Sequence, residues 1–381
     1  MDSAPFAWAH KAESVALMAV GAVVYTYIPQ DWSQETFLAL GGYTVVFLNY
    51  NKKAFIQQSV RAALAQDFPA LEMFFMDDAS TDGSGDEMEQ IVRAYRGRHK
   101  VTVIRNTENQ RIIGQWNIVA RLATGCWLGM FCGDDIAYPN RVTLTDEILR
   151  ESPGLLGVST SGIEVNYISG QTDVEIGRGI EPFDVNADDV SEKLALRWLV
   201  VVGATAFWHR SLFDTPLPTG PMDDEILFYR LLVRRESCDG AVYRFASKTK
   251  TIRYAIGTGI STEGRARNSV IDSRRVRWVK AIEAIKHQHR VLLKTWRGIY
   301  ESDDYREASE GMQGLLQMRL LYSEIVVGST ITRLKLLPRL IKAIVQKSMS
   351  FEMKMRLVRL WAKKLLQEFL GVRLMSFVLS K

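Results

Sequence analysis

Cysteine is scarce in this chain: Cys126, Cys132 and Cys238 are the only three in 381 residues. They are odd in number and show no metal-ligand spacing, so a disulfide framework and a structural zinc site are both excluded as organising features. The pattern is that of thiols in a reducing compartment. The five histidines, His10, His99, His209, His287 and His289, form no metal pattern either. Long apolar runs are also missing. Near the N-terminus Val15 to Ile28 contains no charge, but its 14 residues fall short of the ~20 that span a bilayer. Asp2, Lys11 and Glu13 precede it and no small-residue cleavage site comes after it, which argues against a secretory signal. A buried or interfacial helix is expected there. No internal repeat stands out.

What is present is a globular composition, 47% hydrophobic and 24% charged, long enough for two domains or one domain with an extension. The net charge of +5 is unevenly placed. Residues 331–381 hold 12 Lys+Arg against 2 Asp+Glu, a local +10, so the other 330 residues carry 36 basic and 41 acidic groups, or −5. Basic residues alternate with Leu, Ile, Val, Met, Phe and Trp361 at helical spacing over Leu334–Val345 and Met353–Leu370. An anionic membrane surface suits such a tail. Few aromatics interleave with the cations, so nucleic acid is not expected as a partner.

From Thr44 the pattern alternates strand and helix. Strands are expected at Thr44–Asn49, Leu71–Met76, Lys100–Arg105 and Trp127–Cys132. Helices are expected at Ala54–Ala65, Gly85–Tyr95, Ile112–Leu122 and Arg141–Arg150. Such βαβ units predict a mostly parallel sheet. After Pro153 the rhythm changes. Strands are expected at Leu155–Thr160, Ile163–Ile168, Gly203–Trp208, Ala241–Phe245 and Thr249–Tyr254, with a helix over Asp224–Arg234. The expected division is an N-terminal helical segment (1–43), an α/β domain (44–268) and a helical basic region (269–381).

Two acidic pairs, Asp77-Asp78 and Asp134-Asp135, each end a predicted strand. Adjacent aspartates at the end of a buried strand repel and lose hydration, so a cation or a set of donors must offset them. The carboxyl ends of strands are where open α/β sheets bind ligands. A divalent cation holding a nucleoside diphosphate would satisfy both demands.

The stretches Asn49-Tyr50-Asn51-Lys52-Lys53, Ala65-Gln66-Asp67-Phe68-Pro69, Met76-Asp77-Asp78-Ala79-Ser80-Thr81-Asp82-Gly83-Ser84 and Gly133-Asp134-Asp135-Ile136-Ala137-Tyr138-Pro139-Asn140-Arg141 resemble family 2 glycosyltransferases. The resemblance covers roughly Thr44 to Ser261. It implies the GT-A fold with a mixed second half, and an inverting transfer of sugar from a nucleotide donor to an acceptor hydroxyl. It places Leu48, Asn49, Asp78, Arg111 and Asp134 against the donor. Asp78 would meet the base, and Arg111 would lie near the diphosphate. The family's metal motif is Asp-x-Asp, but here it reads Cys132-Gly133-Asp134. Asp134 is then the implied ligand for Mg²⁺ or Mn²⁺, with Asp135 orienting the loop. Asp223-Asp224-Glu225 matches the acidic cluster that opens a helix in the family. That match implies Asp224 as general base, with Asp223 as the second candidate. The histidine that relatives often carry further on is absent from Ile252–Ser261. The implied partners are a nucleotide-sugar donor, UDP-sugar above others, and a glycan or lipid-linked acceptor. Residues 331–381 would contact the membrane, and self-association is compatible with the reading. The implied setting is bacterial surface-polysaccharide or glycolipid assembly, peripheral on the cytoplasmic face. Loss of catalysis with retained donor binding, or a purely structural role at the membrane surface, is the alternative.

Overall fold

A computed structural model describes residues 9–10, 23–166, 174–176, 181–186, 203–217, 227, 230–231 and 240–256, and isolated positions between 321 and 362. The chain divides into two compact units, one of Met1–Ala187 with Val200–Asn268, the other of Asp188–Leu199 with Ser269–Lys381. The first holds a single 12-stranded sheet. Its strands in chain order are β1 (Ala9–His10), β2 (Val23–Tyr27), β3 (Tyr43–Asn49), β4 (Glu72–Asp77), β5 (Lys100–Arg105), β6 (Trp127–Cys132) and β7 (Ile136–Ala137). They continue as β8 (Gly157–Asn166), β9 (Val174–Glu175), β10 (Phe183–Asn186), β11 (Ala206–His209) and β12 (Ala241–Ile256). The helices are α1 (Gln34–Ala39), α2 (Ile56–Leu64), α3 (Ser84–Arg93), α4 (Arg111–Leu122) and α5 (Arg141–Glu151).

Strands β5, β4, β3 and β6 lie side by side and parallel. Each connection returns through a helix, as expected for apolar strands buried on both faces. Beyond β6 the sheet turns mixed. β11 runs antiparallel to both β6 and β8, and β8 pairs in parallel with β12. Alternation along β3 decides which side chains meet which layer. Tyr43, Val45 and Phe47 join Met73, Phe75, Val101 and Val103 in a core with Ile56 and Val60 of α2, Met88 and Val92 of α3, and Val142 and Leu149 of α5. The opposite face carries Thr44 and Glu72. Glu72 is fully enclosed and accepts from Lys100 Nζ (2.9 Å), Thr44 Oγ1 (2.9 Å), Thr124 N (2.8 Å) and Thr124 Oγ1 (3.0 Å). A buried carboxylate is tolerated when its oxygens are saturated with donors in this way.

The N-terminal expectation needs correction. Val23–Tyr27, inside the stretch expected to be helical, is a strand pairing antiparallel with β5 in the register Val23↔Arg105 to Tyr27↔Val101. Its residues are β-branched or aromatic, which favours a pleated, half-buried surface. The otherwise open edge of β5 supplies the partner. Arg93 stacks over the Tyr25 ring at 3.8 Å, and Tyr27 meets Tyr95 edge-on at 5.9 Å. Two further pairs of expected strands each merge into one. Leu155–Thr160 and Ile163–Ile168 fall largely on β8, and Ala241–Phe245 and Thr249–Tyr254 on the 16-residue β12. At Gly203–Trp208 a 3₁₀ turn over Gly203–Thr205 precedes β11. The expected helical basic region and its membrane-facing tail lie mostly outside the described residues. Leu334, Lys335, Leu337, Pro338, Leu340 and Ile341 are helical there. Among the described residues, no helix is long and apolar enough to cross a membrane.

One core residue carries a pH prediction. His99 is buried against Tyr95, its ring stacked at 6.1 Å, and its Nε2 lies 3.1 Å from the Gln66 carbonyl, so the neutral ring donates there. Burial pushes the imidazole down to about 4, and the nearby Arg98 charge adds to the shift. The folded pKa lies below that of the unfolded chain, so the stabilisation is complete above ~6.5 and is lost as pH falls through the folded value. Between those limits the loss amounts to roughly 3 kcal/mol. Urea unfolding from pH 7.5 to 4.5 should show a steeper acid loss for the native protein than for His99→Phe. Parallel curves for the two would remove His99 as the cause.

Candidate functional site

The carboxyl ends of β3, β4 and β6 converge because all three strands run parallel and in adjacent positions. Asn49 pairs in register with Asp77, and Leu48 with Cys132. This places both acidic pairs at one edge of the sheet.

Asp77 is fully buried and holds the local frame. Its Oδ1 accepts from Asn49 Nδ2 at 2.7 Å, and its Oδ2 from Arg105 Nε and the Ser80 N–H, both at 3.2 Å. Arg105 continues to Asp86 and Glu89. A Cβ at Gly85 would come within 2.4 Å of Asp77 Oδ2, so the start of α3 can approach only as glycine. Asn49 is equally committed. Its side-chain amide also donates to Ser84 Oγ (3.0 Å), and its backbone carbonyl accepts the Asp78 N–H (2.9 Å). Leu48 contributes its carbonyl, which takes the Gly133 N–H at 2.9 Å and so ties the Asp134 loop to β3.

Asp78 faces the next loop. Its Oδ1 accepts from the Gln110 N–H (2.7 Å) and Asn106 Nδ2 (3.1 Å), and its Oδ2 from the Arg111 N–H (2.9 Å). It therefore caps α4, whose leading N–H groups have no partners within the helix. Burial raises its carboxyl above the ordinary range, opposed by these three bonds. Each carboxylate oxygen can accept twice, so the same group can cap α4 and still meet a donor N–H through Oδ2. The Arg111 side chain is exposed at the mouth of this loop. Three non-glycine residues in the described chain adopt left-handed backbone: Asn51 (φ 53°), Ala79 (φ 60°) and Arg111 (φ 59°). All three border this site. Such conformations cost on the order of 1–3 kcal/mol each and persist where the surroundings impose them. Here the left-handed turn at Arg111 lets two successive N–H groups reach one carboxylate.

The second pair divides its work. Asp135 is buried, and its Oδ1 accepts the Ala255 N–H of β12 at 2.9 Å, joining the two halves of the sheet. Burial and then the Asp134 charge hold its carboxyl well above the ordinary carboxylate range, against the Ala255 bond, Arg141 and Lys52. Asp134 meets Lys52 instead, Nζ to Oδ2 at 2.7 Å. Behind them Arg141 is fully buried, with Nη2 donating to the Met130 carbonyl (2.8 Å) and its guanidinium 3.9 Å over the Phe131 ring. Burial lowers it to about 10, with Cys132 and Asp135 opposing. The Cys132 thiol and the Asp134 and Asp135 carboxylates bring their ligand atoms within 4.8 Å of one another. That donor set fits a divalent cation. Carboxylate oxygens suit Mg²⁺ and Mn²⁺ alike, and the soft sulfur is better tolerated by Mn²⁺.

The sequence reading missed three of these residues. Cys132 counted only as a missing carboxylate, whereas it lies among the candidate ligands. Lys52 stood in the motif without a role. Arg141 closed a motif and opened a helix without a role of its own. Register between β3 and β6 is the signal that unites the first two, and it is invisible along the chain. Asp223 and Asp224 lie outside the described residues.

Residues 44–159 match the family model described as Glycosyl transferase family 2. A Bacillus subtilis protein carrying the name glycosyltransferase EpsE is 31% identical over 99 residues, 26% of this chain and 35% of that one. A glycosyltransferase of Haemophilus influenzae is 26% identical over 112 residues, 29% of this chain and 36% of its own length. The chain thus spans about a third of the length of these relatives. Among solved structures, S. aureus TarS 1-349 in complex with UDP-GlcNAc aligns with a TM-score of 0.48 and 14% identity, covering 87% of this chain and 92% of that one. The mannosyltransferase PcManGT from Pyrobaculum calidifontis, in complex with GDP-Man and Mn²⁺, aligns at 0.42 and 16%, covering 86% and 87%. Residues 44–159, which hold the parallel β5-β4-β3-β6 half of the sheet, thus resemble a family 2 glycosyltransferase domain.

Proposed function

We propose that the protein transfers a sugar from a nucleoside diphosphate donor to an acceptor hydroxyl with inversion. One observation carries this reading: the family match spans the same strands whose ends bring Asn49, Asp78 and Asp134 to one edge of the sheet. Asp78, already holding the loop before α4, would accept a ring N–H of the base, a charge-assisted bond. Asp134, with Cys132 and Asp135 beside it, would hold Mn²⁺ or Mg²⁺, which offsets the negative charge of the departing diphosphate. Asp135 keeps the loop against β12. Arg111 can extend from its exposed position toward the same phosphates. Asp224 is the proposed base that takes the acceptor's proton. The acceptor proposed is a glycan or lipid-linked glycan of surface-polysaccharide assembly.

Titration with UDP and GDP, with and without Mn²⁺, followed by a transfer assay with the matching sugar nucleotides, tests this proposal. Metal-supported binding and a product of opposite anomeric configuration are expected. Binding indifferent to metal, or a retained configuration, would overturn it. The Cys132 substitution favours a second reading, a donor-binding protein without transfer. Binding with neither transfer nor donor hydrolysis would select it.

A further inference from the structure

We propose that Lys52 is a resident counter-cation at Asp134, competing with the divalent metal and compensating the diphosphate once displaced. This rests on the reading of Asp134 as the metal-facing carboxylate. Lys52 Nζ lies 2.7 Å from Asp134 Oδ2, and the two side chains are only 17% and 10% exposed. Solvent therefore screens this pair far less than a surface ion pair. The stem is fixed at its base. The Lys52 N–H donates to Ser84 Oγ at 3.3 Å, and its carbonyl accepts the Phe55 and Ile56 N–H groups, both at 2.9 Å. Its Cγ would be 3.3 Å from a Cβ placed on Gly133, so the aliphatic chain runs along the Asp134 loop.

The charge balance explains why a lysine stands there. Asp134 and Asp135 are adjacent and largely buried. Arg141 and the Ala255 N–H serve Asp135 from behind. Lys52 supplies the positive charge on the Asp134 side. Without it, two carboxylates and the Cys132 sulfur would share a desolvated corner. A divalent ion entering that corner would repel the ammonium at contact range, so the two cations exclude one another. Lysine suits the exchange, being a compact charge on four rotatable carbons. The donor's diphosphate is an anion introduced with the metal, and the displaced ammonium would turn toward it. Metal and nucleotide would then bind together more strongly than either alone.

The test uses Mn²⁺ alone, titrated into the nucleotide-free full chain and followed by loss of the free-ion paramagnetic resonance signal. Lys52→Met should bind Mn²⁺ at least about tenfold more tightly than the native protein, since a competing charge is gone. Lys52→Arg, which keeps the charge, should remain near the native value. Asp134→Ala should bind more weakly than native. Lys52→Gln provides a second neutral variant if the methionine chain packs poorly, and melting curves report folding. In the same series UDP binding at saturating Mn²⁺ should weaken in both neutral variants. Neutral variants that bind Mn²⁺ no better than native, while Asp134→Ala still loses it, would overturn the role of Lys52 alone. Unchanged Mn²⁺ binding in Asp134→Ala would overturn the metal reading of that carboxylate, and the inference with it.

Discussion

Asp134→Ala is expected to lower sugar transfer by about 10²–10³-fold, the scale seen when one preorganised charge-stabilising group is removed. It should also abolish the metal dependence of donor binding. The expectation rests on where the carboxylate is held. Gly133 is bonded to the Leu48 carbonyl at 2.9 Å and Asp135 to the Cys132 carbonyl at 3.1 Å, so the loop at the end of β6 has little freedom. Asp135 is spent on β12. Asp134 instead faces Lys52, a cation on a flexible stem. Melting curves check folding, since removing one partner of this largely buried pair leaves the Lys52 charge uncompensated. Initial rates with a sugar nucleotide and calorimetry with UDP and Mn²⁺ measure both effects. Metal-supported binding that survives in Asp134→Ala would move the ion to Cys132 and Asp135.

Asp224→Asn should reduce transfer by about 10²–10⁴-fold while donor affinity changes no more than a few-fold. The amide preserves shape but cannot take the acceptor's proton. Asp224 lies outside the described residues, yet residues just beyond it are anchored. Leu227 and Leu231, four apart on one helical face, are both fully buried. Arg230 donates to the carbonyls of Thr215 (2.6 Å) and Pro216 (2.7 Å), and also to that of Leu212. In the helix expected over Asp224–Arg234 an acid in the first turn would be favoured in its ionised form by the helix N-terminus. Stopped-flow or radiolabel transfer assays alongside UDP calorimetry separate the two effects. Activity near the native level would pass the role to Asp223 or Glu225. A parallel loss of donor affinity would point to a disrupted helix rather than a lost base.

Local signals made the first half of the sheet legible. Lys100–Arg105 and Trp127–Cys132 have the expected boundaries, and the other parallel strands and their helices differ by one or two residues. Period-2 and period-3.6 patterns, broken by turn residues, are properties of a short stretch of chain. The acidic strand ends were legible for the same reason, since buried like charges need an explanation wherever they occur. Val23–Tyr27 was not legible. A short apolar run is ambiguous between helix and strand, and only the open edge of β5 resolves it. Nor was the length of β8 and β12, which their long mutual pairing sustains through bulges at Ala246–Ile252.

That two acidic pairs close parallel strands of an α/β sheet is written along the chain, in strand periodicity and in the motifs that resemble the family. What each acid does was set by the folded sheet. Asp77 frames Asn49 and Arg105, Asp78 caps α4, Asp135 fastens β12, and Asp134 faces Lys52. These assignments depend on strand register and on contacts between residues 28 to 120 positions apart. Hydrogen bonds and ion pairs act over a few ångströms of space, and no local pattern encodes which distant groups the folded sheet will bring that close.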